Sequence, residues 1–299
     1  MVAQWTAEVR VDEALARQLV TTQFPPLPER SLEFLGEGWD YVAFLVDEAF
    51  VFRFPRREIG LPGTEREIAM LPLLAPLLPV PVPNPVYVGR PSEYFSWPFY
   101  GAPYLPGAEP DGSLSDDVRG ALARPLARAL RALHASAALA AVGDGLPVDT
   151  MGRADMAVRV PRTRETLAAI DDLWRPPGEL DELLAGAAEL PAPEPSAVCH
   201  GDLHFRQLLV DEGLLSGIVD WVDLCCGDPA MDLSLVYGFL PPAARGEFFE
   251  EYGRVEASSV VRARVLALNL MSVLARYGHD EGMPGVEAEA LAGLDRVFS

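Results

Sequence analysis

His200-Gly201-Asp202-Leu203-His204-Phe205-Arg206-Gln207-Leu208-Leu209-Val210, followed by Ile218-Val219-Asp220-Trp221 and by Gly227-Asp228-Pro229-Ala230-Met231-Asp232, is the stretch on which the reading of this chain turns. Short apolar runs at 197–199, 208–210 and 216–219 predict strands, and the polar residues fall on the loops that join them. Asp202 is predicted on the loop after the first strand and Asp220 at the end of the third. Adjacent strand ends would bring their carboxylates together although 18 positions separate them. Phosphoryl transfer asks for such a pair: one carboxylate to orient and deprotonate an acceptor hydroxyl, and separate oxygens to hold metal on a triphosphate. Magnesium takes one or two carboxylates plus phosphate oxygens and water, so a full protein cage is not required. A lone loop Asp is ordinarily a turn former or helix cap; here the joint spacing carries the reading.

Outward from this island the periodicity changes. Windows 118–134, 162–173 and 180–190 carry apolar residues at helical spacing, with Pro125 expected to kink the first. Before residue 104, runs rich in β-branched and aromatic residues at 32–35, 42–46 and 50–54 are separated by Gly36-Glu37-Gly38 and Asp47-Glu48, which predicts antiparallel strands with tight turns. Segments 86–88 and 97–100 return to the same sheet. A helix over 11–22 leads. Thr64 and Glu67, ahead of Ile68, Met70 and Leu71, have the form of a capping box that opens another helix. The predicted fold is therefore α+β and bilobal: a small antiparallel-sheet lobe over 1–103 and a larger, mainly helical lobe over 104–299.

The formal net charge of −20 sets the partners. Such a field repels nucleic-acid backbones and draws cations to an acidic cleft, although acidity also serves solubility alone. The cysteines are Cys199, Cys225 and Cys226, with no C-x-x-C spacing, which suits a reducing cytoplasm. No basic, apolar leader opens the chain, and the apolar runs are broken by Pro72, Pro76, Pro79 and Pro81 or by Arg262, Arg264 and Arg276, so neither membrane nor nucleic acid is an expected partner. No internal repeat is visible.

The motif set resembles the aminoglycoside phosphotransferase family, within the wider protein-kinase-like fold. That family's catalytic stretch runs His-Gly-Asp, four residues, then Asn or His, followed by a metal-binding Asp before Trp or Phe; the likeness extends through Gly227 to Asp232 and covers residues 36–240. It implies that Asp202 is the catalytic base and Asp220 the principal magnesium ligand. Asp232 would brace the catalytic loop through its backbone amides, with His200 in support. Where the family has Asn or His as second metal ligand this chain has Gln207, the same neutral oxygen on a longer, more mobile stem. Arg53 stands where the family has the cation reaching the α and β phosphates, and Glu67 would hold it. Gly36 and Gly38 resemble a shortened glycine-rich loop, and the base would bind the connector at Tyr104, Leu105 and Pro106. Read from the residues alone, Arg53 also suits a solvent-facing strand position, Glu67 a plain capping carboxylate and the glycines ordinary turns. His204 and Arg206 either help neutralise the transferring phosphoryl or merely fill the loop. Asp228 before Pro229 reads as a helix cap, Cys225 and Cys226 as small buried residues, and His134 as a packed helix end.

The implied activity moves the γ-phosphate of ATP or GTP, with Mg2+, to a hydroxyl of a cationic aminoglycoside-type antibiotic, and a monomer is expected. Acceptor walls are predicted from residues 135–195 and from the stretch after Asp232. Asp223, Glu247, Glu250 and Glu251 are candidates for holding ammonium groups, although the last three also suit a solvated helix face. Open alternatives are a same-fold kinase for a macrolide, an aminosugar, choline or another alcohol, and a catalytically silent nucleotide-binding protein, for which Gln207 is the argument. A helical scaffold would leave the 200–232 pattern unexplained.

Overall fold

Asp12 caps the first helix, its carboxylate accepting from the Leu15 amide at 2.9 Å, and α1 (Glu13–Gln23) buries Ala16, Leu19 and Val20. These residues share a core with an antiparallel sheet of β1 (Leu32–Glu37), β2 (Tyr41–Val46), β3 (Phe50–Pro55), β4 (Tyr87–Gly89) and β5 (Phe99–Pro103), in the order β1-β2-β3-β5-β4. Period-two alternation sends Val42, Phe44, Val46, Phe52 and Phe54 into that core with Phe95 and Phe99. Phe54 and Phe99 stack with ring centroids 4.6 Å apart. Each fully buried Phe contributes about 2–3 kcal/mol through its area alone, so this cluster, more than the short strands, holds the sheet. Arg53 lies out of phase with Phe52 and Phe54 and is therefore on the other face, cross-strand from Ala43 and Tyr100.

The computed structural model, which describes residues 7–27, 31–38, 40–149 and 151–299, divides into two units. Residues up to Pro76 with Val82–Leu105 form the sheet unit, and Leu77–Pro81 with Pro106–Ser299 form the helical one. In the first, α2 (Leu61–Leu74) opens earlier than the capping box suggests: Gly60 is its N-cap and Pro62 lies in its first turn, where a missing N–H costs nothing. Thr64 and Glu67 thus stand inside the helix, both buried.

In the helical unit, the single helix predicted over 118–134 is two, α3 (Asp116–Ala121) and α4 (Ala123–Leu133). The interruption falls at Leu122 because Pro125 has no N–H to give the Ala121 carbonyl. After α5 (Ser136–Val142), Asp155 caps α6 (Met156–Ala168), accepting from Ala157 at 3.0 Å. The helix therefore starts well ahead of the predicted 162, with Pro161 inside it. It is followed by α7 (Leu180–Ala188), α8 (Ala230–Gly238), α9 (Pro242–Tyr252), α10 (Ala257–Asp280) and α11 (Pro284–Val297). Helix α10 packs against α6, α7, α8 and α11. Its 24 residues are long and apolar enough to cross a membrane, and its buried residues include Arg262, Asn269 and Ser272.

The island itself is not one run of adjacent strands, as the sequence suggests. β6 (Ala197–Cys199) pairs with β9 (Cys225–Gly227), which was not predicted, while β7 (Leu208–Asp211) pairs with β8 (Leu214–Ile218) in a separate ladder. Cys226 also brackets Val148, donating to the Pro147 carbonyl at 2.8 Å and accepting from the Asp149 amide at 3.0 Å. β9 thereby fixes the 147–149 loop beside the island.

Candidate active site

Asp232, in the first turn of α8, is fully buried and saturated with donors. Its Oδ2 accepts from the His200 amide at 2.8 Å and from His134 Nε2 at 3.0 Å, and its Oδ1 accepts from the Gly201 amide at 3.0 Å. His134 Nδ1 in turn is hydrogen-bonded to the Tyr252 hydroxyl at 2.8 Å. Burial pushes the Asp232 carboxyl up, but the His134 bond and the amide donors outweigh it and hold the group below its usual value. The backbone of the 200–202 loop thus hangs from one carboxylate. Cys199 Sγ, His134 and Asp232 offer donor atoms within 4.8 Å of one another, yet Asp232 spends its oxygens on the loop. Asp228, expected as the cap of the same helix, lies one residue ahead of its N-cap Pro229 and accepts from the Ala230 amide at 2.8 Å.

Above this floor the loop turns outward. Gly201 has φ +92°, and a Cβ there would collide with the Asp223 carbonyl, so only glycine lets the loop approach the 220–224 segment. Asp202 follows, with 38% of its side chain exposed. Crowding by protein, then the charges of Asp223 and Asp220, push its pKa up to about 7 against the opposing pull of Arg153 and Arg159. Asp220 holds φ +65°, a left-handed backbone that L-residues other than Asn and Asp seldom adopt, which re-aims the chain as it leaves β8. Convergence of the two segments does not come from a shared ladder. His200 Nε2 donates to the Val219 carbonyl at 3.0 Å, and the Val219 amide donates to the Gln207 carbonyl at 2.9 Å.

Gln207 is buried, and its Oε1 accepts no hydrogen bond. Such an orphan costs about 1–3 kcal/mol unless something else takes it. A neutral oxygen and the Asp220 carboxylate at the same end of β7–β8 are a donor set that suits magnesium. His204 is held neutral: burial and then the nearby Arg206 and His200 push its pKa down to about 3. Its Nδ1 accepts from the Arg206 amide at 3.3 Å, and its Nε2 lies 3.8 Å from Asp202 Oδ2. Neither His204 nor Arg206 supplies spare positive charge, since Arg206 donates to Glu109 at 3.0 Å and covers the Tyr277 ring at 5.5 Å.

Arg153, which sequence reasoning missed, sits among these carboxylates. Its guanidinium bonds Asp223 and, at 3.3 Å, Asp149, with 14% of its side chain exposed. The backbone amide of Arg153 also donates to Asp149. Arg159 accompanies it, donating to the Arg153 carbonyl at 3.0 Å and to Asn269 on α10 at 2.7 Å. Asp223 is therefore close to Asp202, as a substrate residue should be, but already paired. The expectation for Glu247, Glu250 and Glu251 is corrected: on α9 they face Arg124, Arg128 and Arg131 of α4, with contacts of 3.2 Å (Arg124–Glu247), 2.7 Å (Arg124–Glu250) and 3.0 Å (Arg131–Glu251). Helical spacing lined them up with a row of cations.

In the sheet unit, Arg53 donates to Glu67 at 2.8 Å and to the Tyr100 hydroxyl at 3.3 Å, beneath the Tyr41 ring at 4.6 Å. Its side chain is 16% exposed and that of Glu67 is fully buried, so the solvent-facing and capping alternatives fail. Gly36 and Gly38 do not have positive φ, and a Cβ at either would meet nothing within 4 Å. Turn chemistry therefore does not require them, while close approach of a ligand to bare backbone would. Trp39 between them and Tyr41 lies outside the described residues. At the connector, the Tyr104 amide donates to Ala49 at 2.8 Å and the Pro106 carbonyl accepts from Ser216 at 2.6 Å.

A loop braced this way in the helical unit, and a buried Arg–Glu pair in the sheet unit, are features of a phosphotransferase of kinase-like fold. A model of the phosphotransferase enzyme family matches residues 31–268, and the chain belongs to that family. Among solved structures it resembles the GDP complex of aminoglycoside 2'-phosphotransferase-IIIa at 23% identity, covering 96% of this chain and 98% of that one, with TM-score 0.67. It also resembles a macrolide 2'-phosphotransferase type I at 23% identity, 97% and 98% coverage and TM-score 0.59. The macrolide 2'-phosphotransferase MphH from Brachybacterium faecium is 24% identical over 89% of this chain and 91% of its own, with TM-score 0.54. At these identities the likeness is one of fold. Among curated proteins no sequence matches.

Proposed function

We propose that this protein transfers the γ-phosphoryl group of magnesium-bound ATP or GTP to a hydroxyl of a small antibiotic-like molecule, aminoglycoside or macrolide in class. The observation that supports this most is the gathering of Asp202, poised at about pH 7, with Asp220 and the orphaned buried oxygen of Gln207. Asp202 takes the proton of the acceptor hydroxyl, for which a carboxylate of raised pKa is a better base at neutral pH than an ordinary one. Neutral His204, whose Nε2 lies 3.8 Å away, limits where that carboxylate can turn. Asp232 keeps the loop backbone in register beneath it. Asp220 and Gln207 would hold Mg2+, which when bound supplies charge neutralisation for the triphosphate. Arg53, fixed by Glu67, meets the α and β phosphates, Gly36 and Gly38 let backbone come close to them, and Leu105 and Tyr104 read the base. The −20 net charge favours a cationic acceptor at long range.

Magnesium-dependent phosphate release from ATP and GTP, screened against aminoglycosides, macrolides and simple alcohols, tests this with Asp202→Asn as control. Acceptor-stimulated turnover in the wild type and its loss in the variant are expected; equal rates in both remove the reading. Calorimetry separates the two carboxylates. Asp220→Ala should lose magnesium-nucleotide affinity while Asp202→Asn keeps it, and equal losses would count against the assigned roles.

A further inference from the structure

An acceptor whose hydroxyl lies at Asp202 meets its neighbours next. Gly201 is pressed against Asp223, and Asp223 is covered by Arg153. Arg153 also takes Asp149, so one guanidinium occupies two carboxylates from separate segments. Arg159, braced by Asn269, adds a second cation behind it. On this side of Asp202 two carboxylates (Asp149, Asp223) are balanced by two guanidiniums, in a chain whose total charge is −20. Long-range attraction and local balance therefore point in different directions. The local one decides what docks, since surface charge beyond about 10 Å is largely screened.

We propose that Arg153 is a specificity-determining residue that stands in for an acceptor ammonium, so that the protein selects hydroxyl compounds bearing at most one amine over polyamines. This rests on the phosphotransferase reading above and chooses within it. A second ammonium reaching Asp223 has to displace a cation that is tethered, forked and already bonded to two partners. The displaced guanidinium, 14% exposed, then loses one of its two counter-ions, which is the costly way to break such a pair. An uncharged stretch of acceptor meets no such barrier. The arrangement discriminates by exclusion and needs no additional attractive contact.

The test measures kanamycin, a polyamine, as acceptor or competitive inhibitor, with erythromycin, which carries one amine, as reference. In the wild type, kanamycin should bind at least about tenfold more weakly than erythromycin. Arg153→Met should tighten kanamycin by about tenfold or more through KM or the inhibition constant, with a much smaller change for erythromycin. Arg153→Lys, which keeps the charge, should retain the wild-type preference, and Asp223→Asn should push it further from kanamycin. These two variants decide the matter should Arg153→Met fail to fold. A wild type that prefers kanamycin, or a ratio unmoved by Arg153→Met and Asp223→Asn, overturns the proposal while leaving the phosphotransferase reading standing. Absence of any magnesium-dependent nucleotide turnover in the wild type overturns both.

Discussion

Asp232 is fully buried and Asp202 keeps 38% of its side chain exposed, yet it is the buried carboxyl that lies below its usual value and the exposed one that rises to about 7. The two serve the same loop, one as its floor and the other at its mouth. At the floor, two amides and an imidazole N–H aim at Asp232. At the mouth, crowding by protein raises Asp202, the carboxylates of Asp223 and Asp220 add to it, and the two arginines only partly answer them. Desolvation pushes both carboxyls up, and the supply of donors at Asp232 is what separates them.

Removing the floor gives the largest effect. Asp232→Ala strands the His200 and Gly201 amides and His134 together, which should cost about 3–5 kcal/mol and lower Tm by about 10 °C in a thermal melt. A shift under about 2 °C would mean the loop finds other partners. The pH dependence then separates the two ends. Because Asp202 is required ionised, kcat/KM should fall about tenfold per unit below pH 7, with the inflection set by its raised pKa. A flat profile from pH 5 to 8 would remove Asp202 as base.

Stability should carry both carboxylates with opposite signs. The folded state holds the Asp202 proton more tightly than the unfolded chain does, so this group lowers stability as pH rises from about 4 to about 7 and withholds it above. Asp232, shifted down, contributes stability above its unfolded value that is lost only as pH falls through its folded pKa. Asp202→Asn should therefore raise Tm by about 1–3 °C at pH 8 and leave it unchanged near pH 4; an equal gain at both would have another origin. The smallest expected effect is Gln207→Asn. It keeps the neutral oxygen on a shorter stem, so turnover should stay within about threefold or improve. A severe loss would give the longer amide a task of its own.

Much of this was legible because it is local. Alternation around Arg53 set the sheet face, the spacing from His200 to Asp232 set the loop, and Asp228-Pro229 set the helix start. Arg153 and His134 were not legible, since their partners lie 70 and 98 positions away and no periodicity links them. The three residues of β9 were too short a run to stand out, yet β9 is what brings the 147–149 loop, and Arg153 after it, to the island. The capping box at Thr64 and Glu67 matched in letters but lost to Pro62, whose geometry opens a helix more cheaply. The row at Glu247, Glu250 and Glu251 had the right charge for an ammonium and met α4 arginines instead.

Gly201 has one consequence for how the molecule can diversify. Main chain rests on main chain there, with no intervening side chain whose size a point mutation could adjust. The spacing between the 200–202 loop and the 220–224 segment is thus set by backbone alone. Any change of preference then falls to side chains beside it, such as Arg153, whose head group can be varied while the backbone of the 200–202 loop keeps its place.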